Sequence, residues 1–478
     1  MPGNFSLVKG GLSIMNQNLK IGVCVTALLE DDFNKTAHLR PQAQEAAQKV
    51  ATRFSSWGEV VFPGLVEEEW QAQQAAEQFN RENVDCIVFS ELAYTKGIVP
   101  LRMFLATHAP ILIWNTQFIE SFPETADFDL IMLNSGMCGL PEIGQLLHRI
   151  RKKFAIVSGH FEDPHVHQEL GEWMKAIGAI KALRQAKIGV IGHPFEGMAD
   201  LRIDEISLRK YLGPVCWPVD YEVVPQIVSQ IPETRAQALI AEEQNRYGSI
   251  DVAEEMMLRS AKLALALEEM VKERNLQAVA LFDQIWLTDP RIGIIPSYGT
   301  SRMMTLGTPF TCEADVPQAV SMLILNSIAG TSTFLENYVV DFRENAIVLS
   351  HDGHGNPALA THPKEVKIKP SIYYQGVHGF GASFEYAYQT GMVTLLSLGY
   401  LGEDRWKFII CEGESLPMKP RPIVAPQMLF RSSSGAIEYY INEWCKAGAA
   451  HHHALAYGRW ASTLIKIASL LDIEYQVI

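Results

Sequence analysis

The chain has 478 residues, of which 48% are hydrophobic and 20% charged, with a formal net charge of −14 at pH 7. That length exceeds one hydrophobic core and implies roughly two to four domains. The acidic balance argues against nucleic acid as a partner, because phosphate binding needs clustered Lys and Arg. No apolar run reaches the roughly 18 residues of a membrane span.

The apolar stretch Leu19 to Leu29 does not read as a secretion signal. It carries Lys20, runs into Glu30-Asp31-Asp32 and lacks a small-residue cleavage site. The seven cysteines, Cys24, Cys86, Cys138, Cys216, Cys312, Cys411 and Cys445, are scattered without a CxxC pair, and most sit in apolar, strand-like contexts. That usage fits a reducing cytosol, so a cytoplasmic location is expected.

From Lys20 to about Ala155, short apolar runs alternate with polar helical stretches. Lys20–Val25, Glu59–Phe62, Cys86–Phe89, Pro110–Trp114 and Leu130–Leu133 read as five strands, with helices over Pro41–Phe54 and about Glu67–Arg81. Such βαβα alternation predicts a parallel sheet covered on both faces. Gln168–Leu183 reads as a helix crossing to a second α/β unit, which opens with the strand Ala186–Gly192. That unit includes a long helix from about Asp251 to Arg274 and the strand Ala278–Phe282.

After about Gly330 the texture becomes mostly β. Glu336–Ser350 alternates like strand, and Val366–Ile368, Val393–Leu395 and Phe408–Ile410 are short strands. Helices around Ile437–Lys446 and Tyr457–Leu471 follow. The expected division is residues 1–180, 181–325 and 326–478: an N-terminal α/β domain, a central α/β domain and a β-rich domain with closing helices.

Four segments carry residues suited to chemistry. In Gly448-Ala449-Ala450-His451-His452-His453-Ala454, three imidazoles follow three small residues inside the ordered chain, and His is the commonest transition-metal ligand. Phe310-Thr311-Cys312-Glu313-Ala314-Asp315 opens a helix, where a carboxylate also suits the positive end of the helix dipole. Glu336 lies in Thr333-Phe334-Leu335-Glu336-Asn337-Tyr338, bracketed by leucine and aromatics. A half-buried carboxylate there must be neutralised, paired or metal-bound. Leu349-Ser350-His351-Asp352-Gly353-His354-Gly355-Asn356 ends a strand in a Gly-rich turn, and turn propensity does not account for its two histidines. Two Glu and two His on one ion would make an N/O site that favours Mn²⁺, Co²⁺ or Mg²⁺ over a structural zinc.

At these residues the chain resembles the L-arabinose isomerase family. The family's GTSFMEDYTYHF is similar to Gly330–Phe342, its GFAGEGDWKTA to Pro309–Ala319, its AGGAHHT to Ala447–His453 and its AVVTGHWQD to Ala155–Asp163. The resemblance implies two Rossmann-like parallel-sheet domains followed by a mostly β, barrel-like C-terminal domain. It further implies one divalent ion per subunit, usually Mn²⁺, held by Glu313, Glu336, His351 and His452, with Glu313 and Glu336 as the proton-transfer pair. Asp352 and His354 compete with His351 for the third ligand position, and His453 stands where the family has Thr.

The implied activity is aldose–ketose isomerisation through a cis-enediol, in a homo-oligomer (trimer, tetramer or hexamer) whose sites are shared between subunits. Phe282 and Met198 match apolar pocket positions of the family. Its NQSAHG, which contributes sugar-binding Gln and His from a neighbouring subunit, becomes Asn134-Ser135-Gly136-Met137-Cys138-Gly139 here, so Ser135 and Cys138 occupy those places. Losing two hydroxyl-pairing side chains points to another or modified aldose. The competing reading is a non-catalytic, two-lobed sugar sensor, which leaves the C-terminal carboxylates and histidines without a role.

Overall fold

The computed structural model describes residues 19–29, 35–373 and 377–478, so the Glu30-Asp31-Asp32 run lies outside the described residues. Two compact units divide the chain, with the break between Lys181 and Ala182.

In the first unit the strands lie in the order Gly58–Val61, Leu19–Thr26, Cys86–Glu91, Ile111–Asn115 and Phe154–Ser158, all parallel, with Leu65–Val66 also pairing on Leu19–Thr26. Cys86–Glu91 is buried at every position, as a central parallel strand covered on both faces requires. Its apolar face packs with Ala72, Ala75 and Phe79 of the helix Glu69–Glu82 and with Met103 and Phe104 of the helix Ile98–Ala106.

The expected strand at Leu130–Leu133 is instead part of a helix, Phe128–Leu133. Asp127 caps it, its side chain accepting a hydrogen bond from Leu130 N–H. Four apolar residues carry no period that separates strand from helix, and the cap decides. The fifth long strand is Phe154–Ser158.

Strand order reverses between Leu19–Thr26 and Cys86–Glu91, and Glu91 ends the second of these strands. Its side chain is buried and accepts from Thr95 N–H at 2.6 Å. A Cβ on Gly139 would collide with the carboxylate, so only glycine lets the helix Gly136–Arg149 approach it. Burial pushes the Glu91 carboxyl up to about 8, against the Thr95 hydrogen bond and with help from the charge of Glu142.

The second unit holds a four-stranded parallel sheet in the order Phe310–Thr311, Ala278–Leu281, Lys187–Ile191, Val215–Val219. Alongside it is a ten-stranded sheet that closes on itself. Trp406–Leu416, Gly391–Tyr400, His452–Tyr457, Thr333–Asp341, Ala346–Ser350 and Pro426–Ser432 pair in sequence, and the last pairs back to the first through Gly413–Leu416 with Leu429–Ser432. The six strands form a barrel and share one core, to which they contribute Leu335, Leu349, Leu395, Cys411, Phe430 and Leu455. Tyr440 and Trp444 of the helix Ile437–Lys446 join it.

The expected helix from Tyr457 starts only at Ala461. Tyr457 instead ends a strand that begins at His452. At the closing seam, a side chain on Gly413 would collide with Arg431 O and the Phe430 ring.

In the folded chain Glu91 keeps a proton that the unfolded chain releases in the ordinary carboxylate range. The folded state therefore binds more protons across that window, and stability falls with rising pH until about pH 8. Glu91→Gln should flatten that fall, as read from urea unfolding midpoints of this unit between about pH 5 and pH 8.5. Gly413→Val should open the seam and lower the stability of the second unit by about 1–3 kcal/mol, checked by thermal unfolding.

Candidate active site and metal centre

Strand register brings three of the expected donors together. Glu336 stands directly opposite His452 on one neighbouring strand and opposite Ser350 on the other, and His351 follows Ser350 immediately. Paired residues point to one face of a sheet, so Glu336 and His452 share a face. Phe334, two residues before Glu336, lies beneath both imidazoles, with ring centroids 4.7 Å from His351 and 4.5 Å from His452.

Glu313 arrives from the parallel sheet, just past the carboxyl end of Phe310–Thr311, where α/β sheets present their ligands. Ala314 N–H donates to Leu281 O, and Phe195 N–H donates to Glu313 O. The loop after Lys187–Ile191 is thereby held beside the same site. Glu313 and Ala314 both have left-handed backbones, with φ of 57° and 55°. Asp315 then caps the helix Val316–Ala329 by accepting from Gln318 N–H, and its other oxygen lies 2.9 Å from His452 Nδ1. A carboxylate only accepts, so Nδ1 carries the proton and the Nε2 edge faces the site.

His452 Nε2 lies 3.0 Å from Glu336 Oε1, 3.4 Å from Glu313 Oε2 and 3.2 Å from His351 Nε2, while His351 Nε2 is 3.9 Å from Glu336 Oε1. Donors around an ion with bonds of about 2.1 Å stand roughly 3.0–3.4 Å apart, close to this spacing. Glu313 Oε2 is buried without a hydrogen-bond partner, which also fits a site built for a cation.

The electrostatics agree. Burial alone would lower the His452 imidazole, but Asp315 and Glu336 outweigh it and push it up to about 9. Burial likewise opposes ionisation of Glu336, yet the imidazoles of His351, His452 and His451 hold its carboxyl down at about 2. Burial drives the His351 imidazole the other way, well below its ordinary value, so the positive charge gathers on His452 between Asp315 and Glu336.

Both ends of the chain match families of known proteins. Residues 34–185 match the L-arabinose isomerase N-terminal domain, and residues 331–474 match the L-arabinose isomerase C-terminal domain. The chain belongs to the L-arabinose isomerase family. It is similar to the L-arabinose isomerase of Serratia proteamaculans, with 25% identity over 81% of this chain and 80% of that protein. The L-arabinose isomerase of Thermotoga maritima is 24% identical over 85% of this chain and 84% of its own length. As a divergent member of this isomerase family, the chain is an intramolecular oxidoreductase of the aldose–ketose isomerase class.

Against that family background, the remaining expected residues sort by their contacts. His354 is buried beside His351, but its Nδ1 lies 2.7 Å from Thr300 Oγ1 and its Nε2 3.3 Å from Ser297 Oγ, so hydroxyls occupy both nitrogens. Cys312 adjoins these two histidines, and burial, followed by nearby carboxylates, pushes its thiol well above the ordinary value. Asp352 is pushed up to about 6 by burial and then by the charges of Glu336 and Glu313. His453 faces the other side of the strand, opposite Leu335, and its ring meets Trp444 edge-on in the barrel core.

Phe282 stacks on His193 at 4.8 Å and meets Phe195 edge-on at 5.7 Å, and Met198 lies half-buried in the same loop. Ser135 and Cys138 belong to the first unit. The Ser135 hydroxyl accepts from Tyr94 N–H and donates to Met132 O, whereas Cys138 is exposed.

Three acidic residues at the site carry no clear signal in the sequence. Asp315 orients His452, and only its N-cap position hints at a role. Asp200 lies 2.7 Å from His451 Nδ1. Asp283 lies two residues past the strand Ala278–Leu281; burial and then the charge of Glu313 push its carboxyl up to about 7.

The two left-handed residues at 313 and 314 supply a prediction. A left-handed non-glycine residue costs roughly 1–2 kcal/mol, and the family pattern has glycine where Ala314 stands. Ala314→Gly should therefore stabilise the second unit by about 1 kcal/mol, measured by urea unfolding.

Proposed function

We propose that this chain is a divalent-metal-dependent isomerase of a free aldose, taking L-arabinose or a closely related or modified sugar through a cis-enediol. The observation that carries the reading is the convergence of Glu313, Glu336, His351 and His452 at 3.0–3.9 Å around His452 Nε2 and Glu336 Oε1. These four residues would hold the ion, with Mn²⁺ favoured and Co²⁺ or Mg²⁺ as substitutes, because the set is carboxylate and imidazole without thiolate. A bound ion supplies Lewis acidity that polarises the sugar carbonyl and acidifies the neighbouring hydroxyl.

The chain's own residues manage the protons. One of Glu313 and Glu336 takes the proton from C2, and the C2–H electron pair becomes the C1=C2 bond of the enediol as the C1 carbonyl becomes a hydroxyl. The carboxyl group then returns its proton to C1, and the O2 proton replaces the one that O1 took up, which leaves the ketone at C2 and a hydroxyl at C1. No electron leaves the sugar, so no redox cofactor is needed. His351 and His452 hold the carboxylates in register, and Asp315 holds His452. Phe282, His193 and Phe195 offer an aromatic wall for the carbon chain. The shared-subunit arrangement of the family, with a homo-oligomer and the segment 134–139 at the start of the helix Gly136–Arg149 reading the sugar, belongs to the same proposal.

The test is a panel of aldoses, including deoxy and sulfonated sugars, assayed with Mn²⁺ and after chelation. Conversion of at least one aldose, lost on chelation and restored by Mn²⁺, is expected. Glu336→Gln should lower turnover at least about 10²–10⁴-fold while circular dichroism and thermal unfolding stay close to those of the parent. Full activity in that variant would sink the assignment.

A further inference from the structure

His451 is neither one of the four proposed ligands nor free. Its backbone N–H donates to Asp200 Oδ2 at 3.0 Å, and its ring Nδ1 lies 2.7 Å from the same oxygen. One carboxylate oxygen thus captures both the main chain and the ring of His451. Because that oxygen can only accept, Nδ1 carries the proton and the ring cannot turn over. The ring is further held against His452, with centroids 3.8 Å apart.

The opposite edge of the ring faces the site. His451 Nε2 lies 3.5 Å from Glu313 Oε2 and 3.9 Å from Glu336 Oε1, at or beyond the limit of a hydrogen bond, and is buried without a partner. Asp200 reaches it from the loop that also carries Phe195 and Met198, 251 residues earlier in the chain.

We infer that Asp200 and His451 form a positioning pair for the sugar. Asp200 fixes the ring so that His451 Nε2 hydrogen-bonds an oxygen of the bound polyol between Glu313 and Glu336. The inference deepens the isomerase reading and rests on it. It assigns His451 a substrate contact and Asp200 a role exerted through His451. An unpaired imidazole nitrogen between two carboxylates suits a hydroxyl, which donates to one neighbour while accepting from another.

The test uses the full-length chain loaded with Mn²⁺ and titrated calorimetrically with L-arabinitol, a non-reacting open-chain polyol. Asp200→Asn and His451→Ala should each weaken L-arabinitol binding about tenfold, the worth of one hydrogen bond, while Mn²⁺ affinity stays within about twofold of the parent. Asp200→Glu should recover part of the loss, which a merely structural defect would not. Unchanged L-arabinitol affinity in both variants would overturn the inference, as would no L-arabinitol binding to the parent. A parallel loss of Mn²⁺ affinity in His451→Ala would make His451 a ligand instead, and also overturn it. If the parent turns over no aldose yet binds L-arabinitol through Asp200 and His451, the isomerase reading fails and the positioning pair stands. If the parent turns over an aldose while both variants bind L-arabinitol as the parent does, the positioning pair fails and the isomerase reading stands.

Discussion

One antiparallel register governs the centre of this molecule: Glu336 opposite His452, with Ser350 on the far side of Glu336. Side chains alternate faces along a strand, so a slip of one residue would bring His453 to the site and send His452 into the barrel core. Barrel closure opposes such a slip, because every strand of the ring is bonded on both sides and no strand of the ring is left as a free edge. The glycine at 413 is part of that mechanism, since the seam needs two backbones closer together than a side chain permits.

A second constraint joins the barrel to the parallel sheet within the same unit. Asp315 uses one oxygen to cap a helix and the other to hold His452 Nδ1. Moving that helix start would therefore move the imidazole. The two left-handed residues before it turn the chain sharply enough to set Glu313 beside His452 and Asp315 behind it. Backbone strain of this kind persists where surrounding contacts over-determine it, and here Leu281 O and Phe195 N–H fix the backbone on either side.

Much of this is legible in the chain. The strand–helix alternation up to the fourth strand, the long helix ending at Arg274 and the change to β texture after Gly330 follow from periodicity and length. So does the half-buried state of Glu336. The Leu130–Leu133 segment misleads because four apolar residues have no readable period. Tyr457, where the sequence suggests a helix start, ends the strand from His452, and that strand's alternation explains His453: it is a core side chain packed on Trp444. Asp315 and Asp200 cannot be found from local pattern, since their partners lie 137 and 251 residues away. An N-cap aspartate and a loop aspartate look ordinary until the fold supplies the imidazole.

The same distribution bears on how such an enzyme diverges. The four proposed donors, and the carboxylates that orient His451 and His452, all belong to residues 182–478, where register and closure hold them. The segment 134–139, which runs into the first turn of the helix Gly136–Arg149 and to which the family resemblance gives a role in sugar recognition, belongs to the other unit and depends on none of those pairings. Substituting Ser135 and Cys138 there leaves the barrel register untouched, whereas a change at Phe334, Leu335 or Leu455 strikes side chains buried within it. On the proposed reading, the choice of sugar is then free to drift while the isomerisation chemistry is not. A chain only about 25% identical to an L-arabinose isomerase accordingly still brings Glu313, Glu336 and His452 into one cluster, while Ser135 and Cys138 stand where the family resemblance places longer polar side chains.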